Sequence, residues 1–322
     1  MSPRASLLAV RGANAVARAL RTHGYAVIDD AIDAASARAM RDEMRALFRA
    51  NAFKANATVF VSGATQFALE KRGIYECETH ALSDAHGALA PVLTSLGQGR
   101  ELMADANALL GWKDADAGGS TTTLTHASVK LQVNIGDGAC FPLHFDSDGA
   151  LDSRRLTMLT YLNEDWKVGD GGELVVYPFP EDAKVIEPRF GRVVLLSSQL
   201  GLHRVMPSSA KERLMFTVWF FARDKVGEAR APAPGTTAES QMSALLHPAL
   251  RKHLCKLVLA DTWAQSIEEA HPDDEARAAA LKTHWDEVGL IGRVLSNNYP
   301  LGLTRIAENI SAAKTFPPIA WF

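Results

Sequence analysis

The chain has 322 residues, of which 47% are apolar and 22% charged, and a formal net charge of −3. This length and balance describe a folded protein with a sizeable core and exclude a disordered or fibrous chain. The mild negative charge, with no dense Lys/Arg run, argues against a nucleic-acid partner. No apolar run approaches the ~20 residues of a membrane span.

Three cysteines, Cys77, Cys140 and Cys255, are few, odd in number and far apart. Free thiols in a reducing, cytoplasmic compartment are expected. Cys140 lies close to the histidine singled out below but reads as a small buried filler. The first 28 residues carry Arg4, Arg11, Arg18 and Arg21 and no acid, as an organelle transit peptide does. The run Ala15–Arg21, leading into an apparent strand at Tyr25–Ile28, reads instead as the first helix of the domain. The apolar stretch near Leu7 is too short for a signal peptide.

After a turn at Asp29-Asp30, residues 33 to 53 place Met40, Met44, Leu47 and Phe48 at helical spacing. Residues 54 to 75 alternate weakly, around Val59-Phe-Val61, and suggest a short strand or a loop. A second helical stretch runs from Leu89 to Leu110, interrupted at Gly97–Gly99, and the segment Asp114–Thr123 is a loop by composition. From Thr125 the period becomes that of strands. Val129–Ile135 alternates strictly, Gly136-Asp-Gly138 turns, and short strands follow at 141–147, 156–162, 173–177, 192–197 and 214–221. Regularly spaced short strands with turn signals predict a double-sheet jelly roll. A Pro/Gly/Ala linker from Arg230 leads to helical stretches at 240–260, 273–295 and 304–313. The fold class is therefore α+β: a helical part at 1–124, a jelly-roll core at 125–225, and a linker with a helical C-terminal extension at 226–322.

The pattern His-x-Asp occurs three times, at His144/Asp146, His271/Asp273 and His284/Asp286. Residues i and i+2 point the same way only in a strand. His284 lies in a helical run, where the two side chains diverge, and His271-Pro-Asp-Asp274 reads as a turn with an N-capping aspartate. Only His144/Asp146 is extended, with His203 downstream on another strand. Two imidazoles and one carboxylate on one face of a metal form the triad of non-haem Fe(II) oxygenases. Arg213, ten positions after His203, suits a bidentate hold on a dicarboxylic co-substrate.

In order, the chain presents the His-x-Asp strand, Tyr161-Leu-Asn-Glu-Asp-Trp166, Gly171-Gly-Glu-Leu174, Ile186-Glu-Pro-Arg189, His203-x-Val205-x-Pro207 and Arg213…Thr217-Val-Trp219. This resembles the 2-oxoglutarate- and Fe(II)-dependent oxygenases of the prolyl 4-hydroxylase type, nearest in pattern to the intracellular prolyl hydroxylases of hypoxia-inducible factor. Upstream, His23-Gly-Tyr-Ala-Val-Ile-Asp-Asp30 and its helix look like the entry to that domain. The likeness covers residues 15 to 225, densely from 129 to 221, and does not reach 226–322.

The resemblance implies a double-stranded β-helix. It makes His144, Asp146 and His203 the iron ligands and pairs Arg213 with the distal carboxylate of 2-oxoglutarate, which Tyr161 also bonds. Leu159, Leu174, Thr217 and Trp219 line or back that pocket, and Trp166 falls in a structural turn. Fe(II) is the cofactor, 2-oxoglutarate and O2 the co-substrates, and ascorbate an optional reductant. The implied reaction couples decarboxylation of 2-oxoglutarate to succinate with hydroxylation of an unactivated C–H bond, and Asp146 argues for hydroxylation because halogenating relatives lack that carboxylate. Asn134 departs from the family, which usually carries a tyrosine there, so an amide takes its place near the co-substrate. The expected substrate is a prolyl residue of a protein or peptide. The alternatives are a free amino acid or other small metabolite, and a silent metal-binding jelly roll. Residues 56 to 79 are expected either to cover the active site as a loop or to be a plain connection. Leu246, Leu250, Leu254 and Leu257 suggest packing of the C-terminal helices on the domain, with homodimerisation as the alternative, and the aromatic end Phe316–Phe322 is expected to dock.

Overall fold

The computed structural model describes the chain outside residues 1–12, 63–64, 97–98, 112–122, 137, 148–151, 226–229 and 272. Arg4, Arg11 and nearly all of the expected loop at Asp114–Thr123 fall outside these limits. Helix α1 (Ala13–His23) passes through Gly24 into β1 (Tyr25–Ile28), the strand expected there. Helix α2 (Ala34–Arg49) starts at Asp33, whose carboxylate accepts from the Ser36 amide at 2.9 Å. It buries Ala37, Met40, Met44 and Leu47. After α3 (Asp84–Gly87), the stretch from Leu89 divides into α4 (Pro91–Leu96) and α5 (Arg100–Leu110) at the expected glycines.

The strands are β2 (Lys54–Ser62), β3 (Thr65–Glu78), β4 (Leu124–Asn134), β5 (Ala139–His144), β6 (Arg154–Tyr161), β7 (Leu174–Tyr177), β8 (Lys184–Ile186), β9 (Val193–Ser197), β10 (Leu202–Ser208) and β11 (Arg213–Ala222). They form two antiparallel sheets, a seven-stranded one in the order β1-β9-β6-β11-β4-β3-β2 and a four-stranded one in the order β5-β10-β7-β8. This is the double-stranded β-helix architecture, with helices at both ends.

Alternation along the central strands separates two jobs. One face of the large sheet sends Leu131, Val133, Met158, Leu195, Phe216 and Phe220 into a core shared with Leu20, Met40, Leu47 and Leu93 of the N-terminal helices. The other face carries Gln132, Asn134, Thr157, Leu159, Tyr161, Arg213, Thr217 and Trp219, since the register pairs Asn134 with Arg213, Tyr161 with Met215, and Thr157 with Trp219. Facing it across the interior, Leu174, Val176, Ile186 and Val205 of the small sheet close a second cluster with Leu159, Tyr161 and Met215.

Of the two readings of residues 54–75, strand or loop, the strand holds: Lys54–Ser62 and Thr65–Glu78 pair as the β2–β3 hairpin, and Ile74–Glu78 pair with β4. One expectation needs correction. The helix expected at 240–260 is broken by Pro248, which cannot supply the amide that continues a helix. It yields α6 (Ala238–Leu246) and α7 (Pro248–Val258), with His247 capping the second. Helix α8 (Ala260–Ala270) follows unannounced, before α9 (Asp274–Asn298) and α10 (Pro300–Ser311). These helices pack on the outside of the small sheet, where Leu246, Leu250, Leu254 and Leu257 meet Leu143, Phe179 and Leu202. The end of the chain docks as expected: Trp321 is buried, its indole donates to the Thr22 carbonyl, and its carbonyl accepts from Ser197. Gly24 makes room for it, since a Cβ there would lie 2.2 Å from the indole. No described helix is long and apolar enough to cross a membrane.

Candidate metal and co-substrate site

The β5–β10 register sets His144 directly opposite His203, and Asp146 follows His144 by two residues. The Nε2 atoms of His144 and His203 lie 3.6 and 3.9 Å from Asp146 Oδ1. Among the described residues this is the only group of three or more His, Cys, Asp or Glu side chains with donor atoms within 4.8 Å of one another. The other two His-x-Asp pairs are otherwise engaged. Asp273 caps α9, His271 Nδ1 meets the Ile267 carbonyl, and His284 Nε2 meets the Ala260 carbonyl. Cys140 is a buried free thiol, as are Cys77 and Cys255, and none belongs to the cluster.

The surroundings orient each ligand atom. His144 donates from Nδ1 to the Pro142 carbonyl at 2.7 Å, and His203 from Nδ1 to the Gly201 carbonyl at 2.9 Å. A neutral imidazole bonded in this way keeps its lone pair on Nε2. Asp146 Oδ2 accepts from Thr157 Oγ1 at 2.6 Å and from the Trp219 indole at 3.3 Å, which leaves Oδ1 toward the histidines. Burial alone would raise the Asp146 carboxyl, but His203, His144 and Thr157 hold it well below the usual carboxylate range. Burial brings His203 down to about 4, helped by the neighbouring His144. An ionised Asp146 carboxylate and a neutral His203 imidazole, the forms in which these groups bind a divalent cation, are therefore favoured at neutral pH.

Deeper in the interior, Arg213 is almost fully buried at 1% exposure. Its Nε donates to the Gly172 carbonyl at 3.0 Å, while Nη1 and Nη2 have no hydrogen-bond partner among the described residues. Glu212, the neighbour that might have paired with it, turns to Arg45 at 2.6 Å instead. The turn at Gly171-Gly172 permits this, because a Cβ on Gly172 would lie 2.8 Å from Arg213 Cδ. The guanidinium stands 5.4 Å from the Tyr161 ring. Burial pushes the Tyr161 phenol up to about 12, against the pull of Arg213, so it remains a donor. Tyr161 Oη and Asn134 Nδ2 are likewise buried without partners, the Asn134 carbonyl being taken by Gln132 Nε2 at 2.8 Å. A buried polar atom without a partner costs roughly 1–3 kcal/mol. Four such donors on one sheet face suit a carboxylate-bearing ligand.

Of the residues named from sequence, Asn134, Tyr161, Leu159, Thr217, Trp219 and Arg213 share this face, and Leu174 opposes them from β7. Trp166 lies in the connection just after the turn at Glu164-Asp165, its indole donating to the Gly171 carbonyl. Sequence reasoning missed Thr157 and Gln132, which the period-2 rule applied to Leu159–Tyr161 and to Asn134 would have put on the same face. It also missed Arg154, which donates to the Asp146 carbonyl at 2.9 Å and stacks on Trp219. Nothing local announced Ser266 and Lys252 of the C-terminal helices. Ser266 Oγ accepts from the Leu143 amide at 2.9 Å, and Lys252 Nζ donates to the Ser147 carbonyl at 2.8 Å. They grip the His144–Asp146 segment from both sides, at the edge of the small sheet.

The chain is similar to known proteins in sequence and in fold. Residues 129–221 match the family model of the 2OG-Fe(II) oxygenase superfamily. Egl nine homolog 1 of Homo sapiens is 26% identical over 223 residues, covering 68% of this chain and 48% of that protein, so the chain spans about half the length of this relative. A crystal structure of prolyl 4-hydroxylase from Phytophthora capsici superposes with a TM-score of 0.71 at 29% identity, over 92% of each chain. That coverage takes the likeness into the C-terminal helices, beyond the reach of the sequence motifs. A prolyl hydroxylase from Trichoplax adhaerens, solved with a peptide fragment of the hypoxia-inducible factor oxygen degradation domain, shares the fold at 23% identity and a TM-score of 0.51, over 65% of this chain and 89% of that one. The superfamily uses Fe(II), 2-oxoglutarate and O2. The His-Asp-His donors fit the first, and the unpartnered donors of Arg213, Tyr161 and Asn134 fit the second.

Proposed function

We propose that the protein is a 2-oxoglutarate- and Fe(II)-dependent dioxygenase that hydroxylates a prolyl residue of a protein or peptide, releasing succinate and CO2. The observation that carries this is the pairing of a His-Asp-His cluster with a buried guanidinium whose two outer nitrogens have no hydrogen-bond partner among the described residues. A structural metal site has no need of such a clamp. The kinship with prolyl 4-hydroxylase of Phytophthora capsici and with Egl nine homolog 1 supports the prolyl choice. A reducing, cytoplasmic setting accords with the three buried free thiols.

In this reading His144, Asp146 and His203 hold Fe(II), which when bound supplies O2 activation and the two-electron oxidation of the C–H bond with 2-oxoglutarate as co-reductant. Arg213 binds the distal carboxylate with both Nη groups. Tyr161 and Asn134 donate to the same co-substrate. Leu159, Leu174 and Thr217 wall its site and keep water from it. Thr157 and Trp219 fix the Asp146 carboxylate so that Oδ1 alone faces the metal.

The test is to load the protein anaerobically with Fe(II), add 2-oxoglutarate, admit O2 and measure succinate. Turnover is expected in the wild type and its loss in His144→Ala and Asp146→Ala. Undiminished turnover in both variants would sink the assignment of the ligands.

A further inference from the structure

The site's open side lies at His144, whose side chain is 35% exposed against 10% for Asp146 and 5% for His203. On that side Phe141 sits 6.3 Å from the His144 ring, and Lys71 Nζ lies 4.4 Å over the Phe141 ring. Together these distances put the ammonium within about 11 Å of the His144 imidazole. Lys71 belongs to the part of β3 that continues beyond the pairing with β4, which begins at Ile74 opposite Asn134. The hairpin thus reaches from the co-substrate side of the sheet to the rim beside the metal ligands.

Lys71 has no hydrogen bond and no ion pair among the described residues, and its ammonium faces the Phe141 ring. Glu76, the carboxylate whose charge acts on Lys71, is bound by Lys130 and Asn56. The other groups that act on Lys71 are Lys130 and Cys140, and Lys71 in turn acts on His271. Burial lowers the Lys71 ammonium to about 8, and the charge of Lys130 adds to the effect. A half-buried lysine packed against an aromatic face, beside a second cation and with no acid of its own among the described residues, is prepared for an anion from outside.

We propose that Lys71 is a specificity-determining residue that binds a carboxylate of the prime substrate. The proposal rests on the hydroxylase reading above. At ~3.3 Å per residue of extended chain, the reach fits an acidic side chain two or three residues from the target proline. The carboxylate of a free amino acid offers the same chemistry at shorter range.

The experiment uses the full chain with Mn(II) and 2-oxoglutarate for binding, and with Fe(II), 2-oxoglutarate and O2 for turnover. Peptides with a central proline and one Asp at each of the three positions on either side are compared with their Asn counterparts, in wild type, Lys71→Met and Lys71→Glu. Thermal unfolding confirms that the variants fold. One Asp peptide is expected to bind roughly ten- to hundredfold more tightly than its Asn twin. The preference should vanish in Lys71→Met, and Lys71→Glu should favour a Lys peptide at the same position. An Asp preference that survives both variants overturns the proposal. If no prolyl peptide binds or is hydroxylated while O2-dependent succinate release persists, the prolyl reading fails, and free amino acids become the probe. A free amino acid that stimulates succinate release with a KM raised in Lys71→Met then supports Lys71 by itself. If no carboxylate compound in either arm distinguishes wild type from Lys71→Met, the role of Lys71 is refuted.

Discussion

Arg213→Met separates a co-substrate clamp from an ordinary buried cation. Both Nη groups of Arg213 are buried without hydrogen-bond partners among the described residues, and Nε is tied to the Gly172 carbonyl. A bidentate pair with a carboxylate adds two charge-assisted hydrogen bonds of about 1.5–3 kcal/mol each. Their loss amounts to about 3–6 kcal/mol, and at 1.4 kcal/mol per decade this is a hundredfold to ten-thousandfold fall in affinity. Arg213→Lys keeps the charge but not the fork, so a loss of about ten- to hundredfold is expected. The assay is titration calorimetry of 2-oxoglutarate into Mn(II)-loaded protein, with thermal unfolding as the control for folding. If Arg213→Met binds 2-oxoglutarate within threefold of wild type, or if its only effect is a lower Tm, the arginine is structural and the reasoning is wrong.

Three further outcomes are expected. Ser266→Ala strips the Leu143 amide of its acceptor, which should cost about 1–3 kcal/mol of stability. It should also weaken Mn(II) binding although it lies outside the triad; an unaltered metal Kd would show that the C-terminal helices do not steady the ligand strand. Trp321→Ala removes a buried indole that also faces Arg251 at 4.4 Å. A loss of about 3–5 kcal/mol, or a Tm lower by about 4–7 °C at ~2.1 cal/mol/K per residue, is expected in calorimetry, and a shift below 1 °C would mean that the tail does not hold the fold. The third concerns pH. His203 titrates near 4 in the folded, metal-free protein against about 6.5 unfolded, so the unfolded chain binds the extra proton in between. Stability must then rise with pH from about 4 to 6.5 and fall as acid is added through that window. Urea titrations of metal-free wild type and His203→Gln should differ in slope only there; identical pH profiles would contradict the assignment.

Much of this protein was legible in order and spacing. His144 and Asp146 announced themselves because a strand puts i and i+2 on one side, while helix and turn composition disposed of the rival pairs. Tyr161, Thr217 and Trp219 were named through family resemblance, and their common face follows from period-2 alternation. The segment 54–75 stayed open between strand and loop, and α8 escaped, because their stability comes from distant partners, β4 for the one and Leu143 on β5 for the other. Local propensity has no view of such contacts.

The sequence by itself therefore determined the chemistry on offer: two imidazoles, one carboxylate, one arginine and the strands that carry them. Only the tertiary structure decided which atoms of those groups are free. Backbone carbonyls at Pro142 and Gly201 turn both Nε2 atoms toward Asp146, and Glu212 leaves Arg213 for Arg45. Gln132 leaves the Asn134 amide nitrogen unpaired, and helices from the far end of the chain grip the ligand strand. The physical reason is that hydrogen-bond satisfaction is settled between residues remote in sequence. A donor set can be read along the chain, whereas its unspent valences exist only once the chain has folded.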